Sequence, residues 1–231
     1  MAKKTGAAWL ATYRTLHEHY GPQHWWPGET PFEVMIGAVL TQNTAWTNVE
    51  KAIANLKAAR ALGCAAIMEL SDTALAELIR PAGYFNVKAK RLKSVCAFLD
   101  AQGVARHPEK LRDRAPLPEL RQRLLAVHGV GEETADSILL YALDLPSFVV
   151  DAYTRRIFSR LGLLDADESY RRIQARFQAG LPQEVALYNE YHALIVQLGK
   201  TACRPKPRCG DCPLRTRCPA AQAGRSPLLR Q

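Results

Sequence analysis

Apolar residues recur along this chain at helical spacing, and no stretch alternates as a half-buried strand would. Trp9, Tyr13, Leu16 and Tyr20 mark one face of a helix over Ala8 to Tyr20, closed by Gly21-Pro22. Thr30-Pro31 is an N-cap and first-turn pair that opens a helix through Val34, Met35, Ala38 and Val39. Asn43-Thr44 interrupts that pattern, and Trp46 to Leu62 resumes it through Val49, Ile53 and Leu56. Ser71 caps a short helix that stops at Arg80-Pro81-Ala82-Gly83. Asn86 to Ala101 reads as a basic helix, with Lys88, Lys90, Arg91 and Lys93 outside and Leu92, Val95, Cys96 and Leu99 inside. Further helices are predicted over Asp151 to Leu161, Glu168 to Ala179 and Gln183 to Gly199. The pattern predicts an all-α fold without internal repeats or low-complexity linkers.

The most informative stretch runs from Glu119 to Arg156. Leu120, Leu124, Leu125 and Val127 form one apolar face, His128-Gly129-Val130-Gly131 a tight turn, and Thr134, Ala135, Ile138, Leu139 and Ala142 a second helical face. Two glycines one residue apart let the backbone take positive φ and approach a partner closely. Exposed N–H groups feeding a helix N-terminus suit an anion, and on a basic chain that anion suggests DNA phosphate. After Pro146 the apolar run Phe148-Val149-Val150 leads to Asp151 at the head of another helix. The plain structural reading is an αα-hairpin followed by an aspartate N-cap.

At 231 residues, the chain is long enough for one large or two small domains with a real core. Its formal net charge is +9. From Lys200 onward eight lysines and arginines face Asp211 alone, which favours a polyanionic partner. MAKK is followed by Thr, Gly and Ala rather than by an apolar core, and the longest apolar run, Val34 to Leu40, is too short to span a bilayer. A cytoplasmic, nucleoid-associated monomer with no membrane partner is the expectation.

Cys64 and Cys96 sit alone on helical patterns, where small buried packing is expected. Cys203, Cys209, Cys212 and Cys218 are spaced C-x5-C-x2-C-x5-C, which in a reducing compartment reads as a metal site. Four thiolates from one short span can close around a compact site, and zinc is the serious rival to a cluster, although a zinc ribbon usually shows two C-x2-C knuckles and this segment has one. Within the loop, Arg204, Lys206 and Arg208 alternate with prolines, an arrangement suited to meeting phosphate.

HGVGEETAD followed by VVDAYTRR resembles the helix-hairpin-helix and Gly/Pro-Asp signature of the endonuclease III (HhH-GPD) superfamily of DNA glycosylases. The likeness extends from TQNTAW near the front to the cysteine segment at the back. It implies two helical domains with the active-site cleft between them. One is a six-helix domain at 23–145 with the hairpin at about 119–143. The other is built from 1–22 plus 146–231 and carries a [4Fe–4S] loop at 203–218. It also implies that the hairpin backbone at Gly129, Val130 and Gly131 grips DNA, that Asp151 is the catalytic carboxylate and that Arg156 is a family arginine at the domain interface or a phosphate. Bifunctional members carry a nucleophilic lysine where this chain has Glu133, and a carboxylate cannot form the Schiff base of lyase chemistry. A monofunctional, hydrolytic enzyme acting on double-stranded DNA is therefore expected.

A glycosylase flips its target base into a pocket, often between aromatic faces. HWWPG and TQNTAW resemble the subfamily that excises alkylated purines, the 3-methyladenine glycosylase III or methylpurine glycosylase II group. By that likeness Trp25, Trp26, Pro27 and Trp46 line the pocket and Gln42 fills the gap left in the duplex. A cationic methylpurine on an electron-rich aromatic face gains about 0.5–2 kcal/mol and leaves without protonation. A carboxylate alone then suffices to stabilise the sugar cation and orient water. Three alternatives stay open: an endonuclease III-like enzyme acting on oxidised pyrimidines with lyase activity, a mismatch glycosylase, and a non-catalytic DNA-binding protein in which Asp151 is only a cap.

Overall fold

A computed structural model describes residues 2–25 and 28–223, with side chains from residue 6 onward. Among the described residues there is no strand. The α-helices are α1 (Ala2–Tyr20), α2 (Pro31–Leu40), α3 (Trp46–Ala58), α4 (Cys64–Glu69), α5 (Asp72–Leu78), α6 (Phe85–Ala101), α7 (Leu117–Leu125), α8 (Glu132–Ser137), α9 (Ala152–Arg160), α10 (Tyr170–Gly180), α11 (Val185–Thr201) and α12 (Pro219–Ala223). No described helix is long and apolar enough to cross a membrane. The chain divides into two compact units, one formed by 26–145 and the other by 1–25 with 146–231.

The 26–145 unit is built around α2, which is apolar on almost every side and buried from Phe32 to Leu40 except at Ala38. Thr30 Oγ1 accepts the Glu33 N–H at 3.1 Å and Pro31 fills the first turn, so this helix starts where the sequence says it should. The short helix α4 and a 3₁₀ segment at Pro108–Asp113 escape the periodicity reading because each is barely one or two turns long. Cys64 and Cys96 are both buried in this core.

Beyond α8 the chain widens into a π-helical turn, Ile138–Ala142, with the Leu143 N–H donating to Ile138 O at 3.1 Å. The wider turn places Ile138, Leu139, Leu140 and Ala142 all in the interior.

Lys88 corrects the expected polar face of α6. It is 1% exposed, and its Nζ donates to Leu40 O and Ala82 O, both at 2.8 Å. The ammonium caps the C-terminal end of α2, where carbonyls lack intrahelical partners. Burial, and then the charge of Arg91, pull its pKa down to about 8.

In the other unit α1 packs on α10 and α11, and α9 packs on α11. Its core is aromatic. Trp9 stacks on Phe177 at 4.3 Å between centroids, Phe177 stacks on Phe148 at 4.2 Å, and Tyr191 Oη donates to Trp9 O at 2.7 Å. A Cβ at Gly180 would run into the Trp9 indole, so glycine here sets how closely α1 and α10 approach.

Lys88→Met should lower unfolding free energy by about 1–3 kcal/mol, because two carbonyls lose their donor. In wild type the unfolded lysine holds its proton to higher pH than the folded one, so this group adds stability as pH rises through 8. The gap between wild type and variant should therefore widen from neutral pH toward pH 10 in urea titrations, and a constant gap would rule out the depressed lysine.

Candidate functional site

Asp151 follows the extended run Phe148-Val149-Val150, which is buried throughout, and caps α9. Its Oδ1 accepts the Thr154 N–H at 2.7 Å and the Thr154 hydroxyl at 2.8 Å, while the Thr154 hydroxyl in turn faces the Asp151 N–H at 3.4 Å. This is a capping box built from aspartate and threonine. The other oxygen, Oδ2, lies 3.5 Å from Nε2 of His192 on α11. The Trp25 indole stacks on the His192 ring at 5.5 Å and 28°. Asp151 is 8% exposed and His192 5%. Desolvation is the largest influence on Asp151 and raises its pKa; the hydrogen bond and charge of His192, with the two Thr154 bonds, outweigh it, so the carboxyl sits below its usual value. The carboxylate is charged at neutral pH, dry on most sides, and aimed by three fixed groups.

The hairpin lies in the other unit. Its first helix, α7, ends at Leu125, and the Val130 N–H returns to Val127 O at 3.0 Å. Gly129 has φ +85°, a conformation glycine adopts without cost, and Gly131 is the extended residue that opens α8. A bidentate pair braces the two helices: Arg121 Nε and Nη2 meet Asp136 Oδ1 and Oδ2 at 2.8 and 2.9 Å, with Asp136 fully buried. Gln42, just past α2, is tied to the same turn: its Nε2 donates to Gly129 O and to Thr134 Oγ1, both at 2.9 Å. The first turn of α8 carries Glu132 and Glu133, so the position of the family lysine holds a carboxylate.

The structure distributes the remaining expected residues. Trp25 joins the Asp151–His192 group, whereas Trp46 is half-buried at the start of α3 and packs on the core of the 26–145 unit. Trp26 and Pro27 lie outside the described residues. Val130 is buried at 6% exposure, so it contributes backbone and packing to the turn. Arg156 is engaged by its own unit: Nε donates to Cys203 O at 2.9 Å and Nη2 to Gly199 O at 3.3 Å, with the guanidinium over the Tyr153 ring. Arg204, Lys206 and Arg208 are exposed on the loop that follows. Sequence reasoning missed His192 and Arg160. His192 reads as one polar residue on an otherwise apolar helix, and nothing local connects it to Asp151.

The expectation of a [4Fe–4S] loop is corrected. Among the described residues no group of three or more histidine, cysteine, aspartate or glutamate side chains is arranged to hold a metal ion. Cys203 Sγ instead accepts from Arg160 Nη1 at 3.4 Å, and the Cys218 thiol donates to Arg160 O at 3.3 Å. Burial, then a backbone hydrogen bond from Leu214 in opposition and the nearby Cys203, Cys218 and Cys209, leave the Cys212 thiol with a raised pKa. Loop shape comes from arginines one turn apart on α9: Arg160 also donates to Arg204 O at 2.7 Å and Pro205 O at 2.9 Å, beside the Arg156 bonds to Cys203 and Gly199.

A family model described as "HhH-GPD superfamily base excision DNA repair protein" matches residues 36–183, which include both the hairpin and Asp151. The chain belongs to that superfamily. It is a DNA glycosylase. A relative from Methanocaldococcus jannaschii, "Putative DNA repair glycosylase MJ1434", is 50% identical over 89% of this chain and 93% of its own length. Endonuclease III of Sulfolobus acidocaldarius is 30% identical over 81% of each chain. Among solved structures, a non-covalent endonuclease III–DNA complex superposes with a TM-score of 0.82 at 21% identity, covering 95% of this chain and 98% of the other. The Helicobacter pylori 3-methyladenine glycosylase structure reaches 0.69 at 29% identity, covering 86% and 97%.

Those findings correct the subfamily assignment. The fold superposes more completely on endonuclease III, and endonuclease III recurs among the curated relatives, so the alkylated-purine reading is set aside. The tryptophan motifs behind that reading are partly accounted for by packing: Trp46 serves a hydrophobic core and Trp25 serves His192.

Arg121→Ala should cost about 3 kcal/mol, because it takes the bidentate guanidinium away from the fully buried Asp136 carboxylate, and thermal unfolding reads this directly. His192→Asn removes the main pull that lowers Asp151, so the acid limb of the base-excision rate should move to higher pH. Wild-type stability from Asp151 is present above the ordinary aspartate value of about 3.8 and lost as pH falls through the lower folded value. An unmoved acid limb in single-turnover assays would show that His192 does not set the ionisation of Asp151.

Proposed function

We propose that the protein is a hydrolytic glycosylase of the endonuclease III kind that removes oxidised pyrimidine bases from DNA. It binds double-stranded DNA carrying a damaged base. The observation that carries the reading is Asp151, an ionised, buried carboxylate held at a helix head by Thr154 and His192. As the glycosidic bond breaks, the sugar becomes an oxocarbenium-like cation, which a preformed carboxylate stabilises while it orients the attacking water. The target nucleotide has to leave the stack first, at a cost of a few kcal/mol that a damaged pair lowers. Backbone at Gly129–Gly131 would hold phosphate, with Gln42 filling the vacated space. Glu133 supplies no amine, so the product is an intact strand with an abasic site.

The test is release of free base from a duplex containing thymine glycol, with strands checked for nicks before and after alkali. Wild type should release the base and leave strands that break only after alkali. Asp151→Asn keeps an N-cap side chain and should lose about 100-fold or more in rate while retaining DNA affinity. Release from G·T or G·U pairs but not from thymine glycol would move the substrate to mismatches. Nicking without alkali, or trapping of a covalent complex by borohydride, would overturn the hydrolytic assignment.

A further inference from the structure

Gln42 is half-buried, yet its amide is fully committed: Nε2 donates twice, to Gly129 O and Thr134 Oγ1, and Oε1 accepts from Arg91 Nη1. Holding a long polar side chain in one rotamer opposes its side-chain entropy, which these three bonds offset. Arg91 does more than meet the amide. Its stem lies flat on the hairpin, where a Cβ at Gly129 would run into Arg91 Cγ and Cδ. Its Nε is buried with no acceptor, and among the described residues no ion pair neutralises it. A buried N–H without an acceptor costs stability, and here it comes with the arginine stem that packs on the hairpin. One turn earlier on α6, Lys88 fixes Leu40 O, two residues before Gln42. Two cations of α6 thus hold both the backbone and the side chain of the segment that ends α2.

We propose that Arg91 is a positioning residue for base excision: it fixes Gln42 against the hairpin, so that the side chain filling the vacated stack and the turn holding phosphate meet DNA in one register. This rests on the reading of the protein as a glycosylase in which Gln42 enters the duplex. Arg91 acts through Gln42 and touches neither the damaged base nor the sugar. The planar, forked guanidinium suits the task, since one edge bonds the amide while the stem packs on backbone.

The experiment needs no catalysis. A duplex with a stable abasic-site analogue beside 2-aminopurine reports unstacking by a rise in fluorescence when a side chain enters the gap. Arg91→Met keeps the packing stem and removes the hydrogen bond to Gln42. It should lose most of the rise with DNA affinity within about threefold of wild type, and Arg91→Lys should fall between the two. Gln42→Ala should lose the rise to the same extent, and the double variant should lose no more than either single one, since residues acting as one unit are not additive. Losses that add independently, or a salt dependence of binding shallower by about one unit in Arg91→Met, would make Arg91 a direct phosphate contact and overturn the proposal. An unchanged rise in Arg91→Met would overturn it too. No rise even in wild type would instead remove the role given to Gln42, and the proposal with it. Circular dichroism melts establish that each variant folds; if Arg91→Met does not, the same cycle with Arg91→Lys decides.

Discussion

The proposed reaction depends on keeping one carboxylate charged in a dry place. Desolvation alone would push Asp151 toward the neutral acid, which cannot stabilise a sugar cation. Three local features oppose it: the Thr154 N–H and hydroxyl on one oxygen, the N-terminus of α9, and His192 beside the other oxygen. The first two come with the cap. The third requires α11 to return to α9, which the aromatic packing of Trp9, Phe148, Phe158, Phe177 and Tyr191 secures. The aromatic core is thus an electrostatic device as well as a source of buried area, because it fixes the distance on which the ionisation of Asp151 depends.

The hairpin unit solves a different problem, that of holding backbone rather than charge. A turn that offers N–H groups to a ligand gives up intrachain bonds, so its shape must be set from behind. Arg121 on Asp136 fixes the two helices, Gln42 caps the Gly129 carbonyl, and Arg91 fills the space that a side chain at 129 would take. Glycine at 129 is therefore required twice, by its positive φ and by the arginine stem against it.

Reading the sequence recovers what is local and periodic. The helices over Pro31–Leu40 and Phe85–Ala101, the glycine turn and the cap at Asp151 all declare themselves within a few residues. What it misses is decided by partners distant in the chain. Lys88 has a lysine's usual place on a basic helix, and only the approach of Leu40 and Ala82 turns it inward. His192 is indistinguishable from any polar residue on a buried helix until Asp151 arrives opposite. Spacing also over-reads: four cysteines within one short segment suggest a metal, but among the described residues no such group is arranged to hold one, and Arg160 bonds two of the sulfurs.

The substrate assignment shows the same limit from the chemical side. A cationic purine lesion makes aromatic faces the decisive feature, so tryptophan motifs weigh heavily when read as pocket walls. A tryptophan is also the largest core residue available, and Trp46 packs as one. For the proposed substrate, which offers no cationic leaving group to recognise, the burden of excision moves from the pocket to the carboxylate and to the register in which DNA is held. Those are the two features this structure builds most completely: Asp151 with its three supports, and Gln42 with its three hydrogen bonds. A hydrolytic enzyme needs both and needs no amine nucleophile, which is consistent with glutamate standing at position 133.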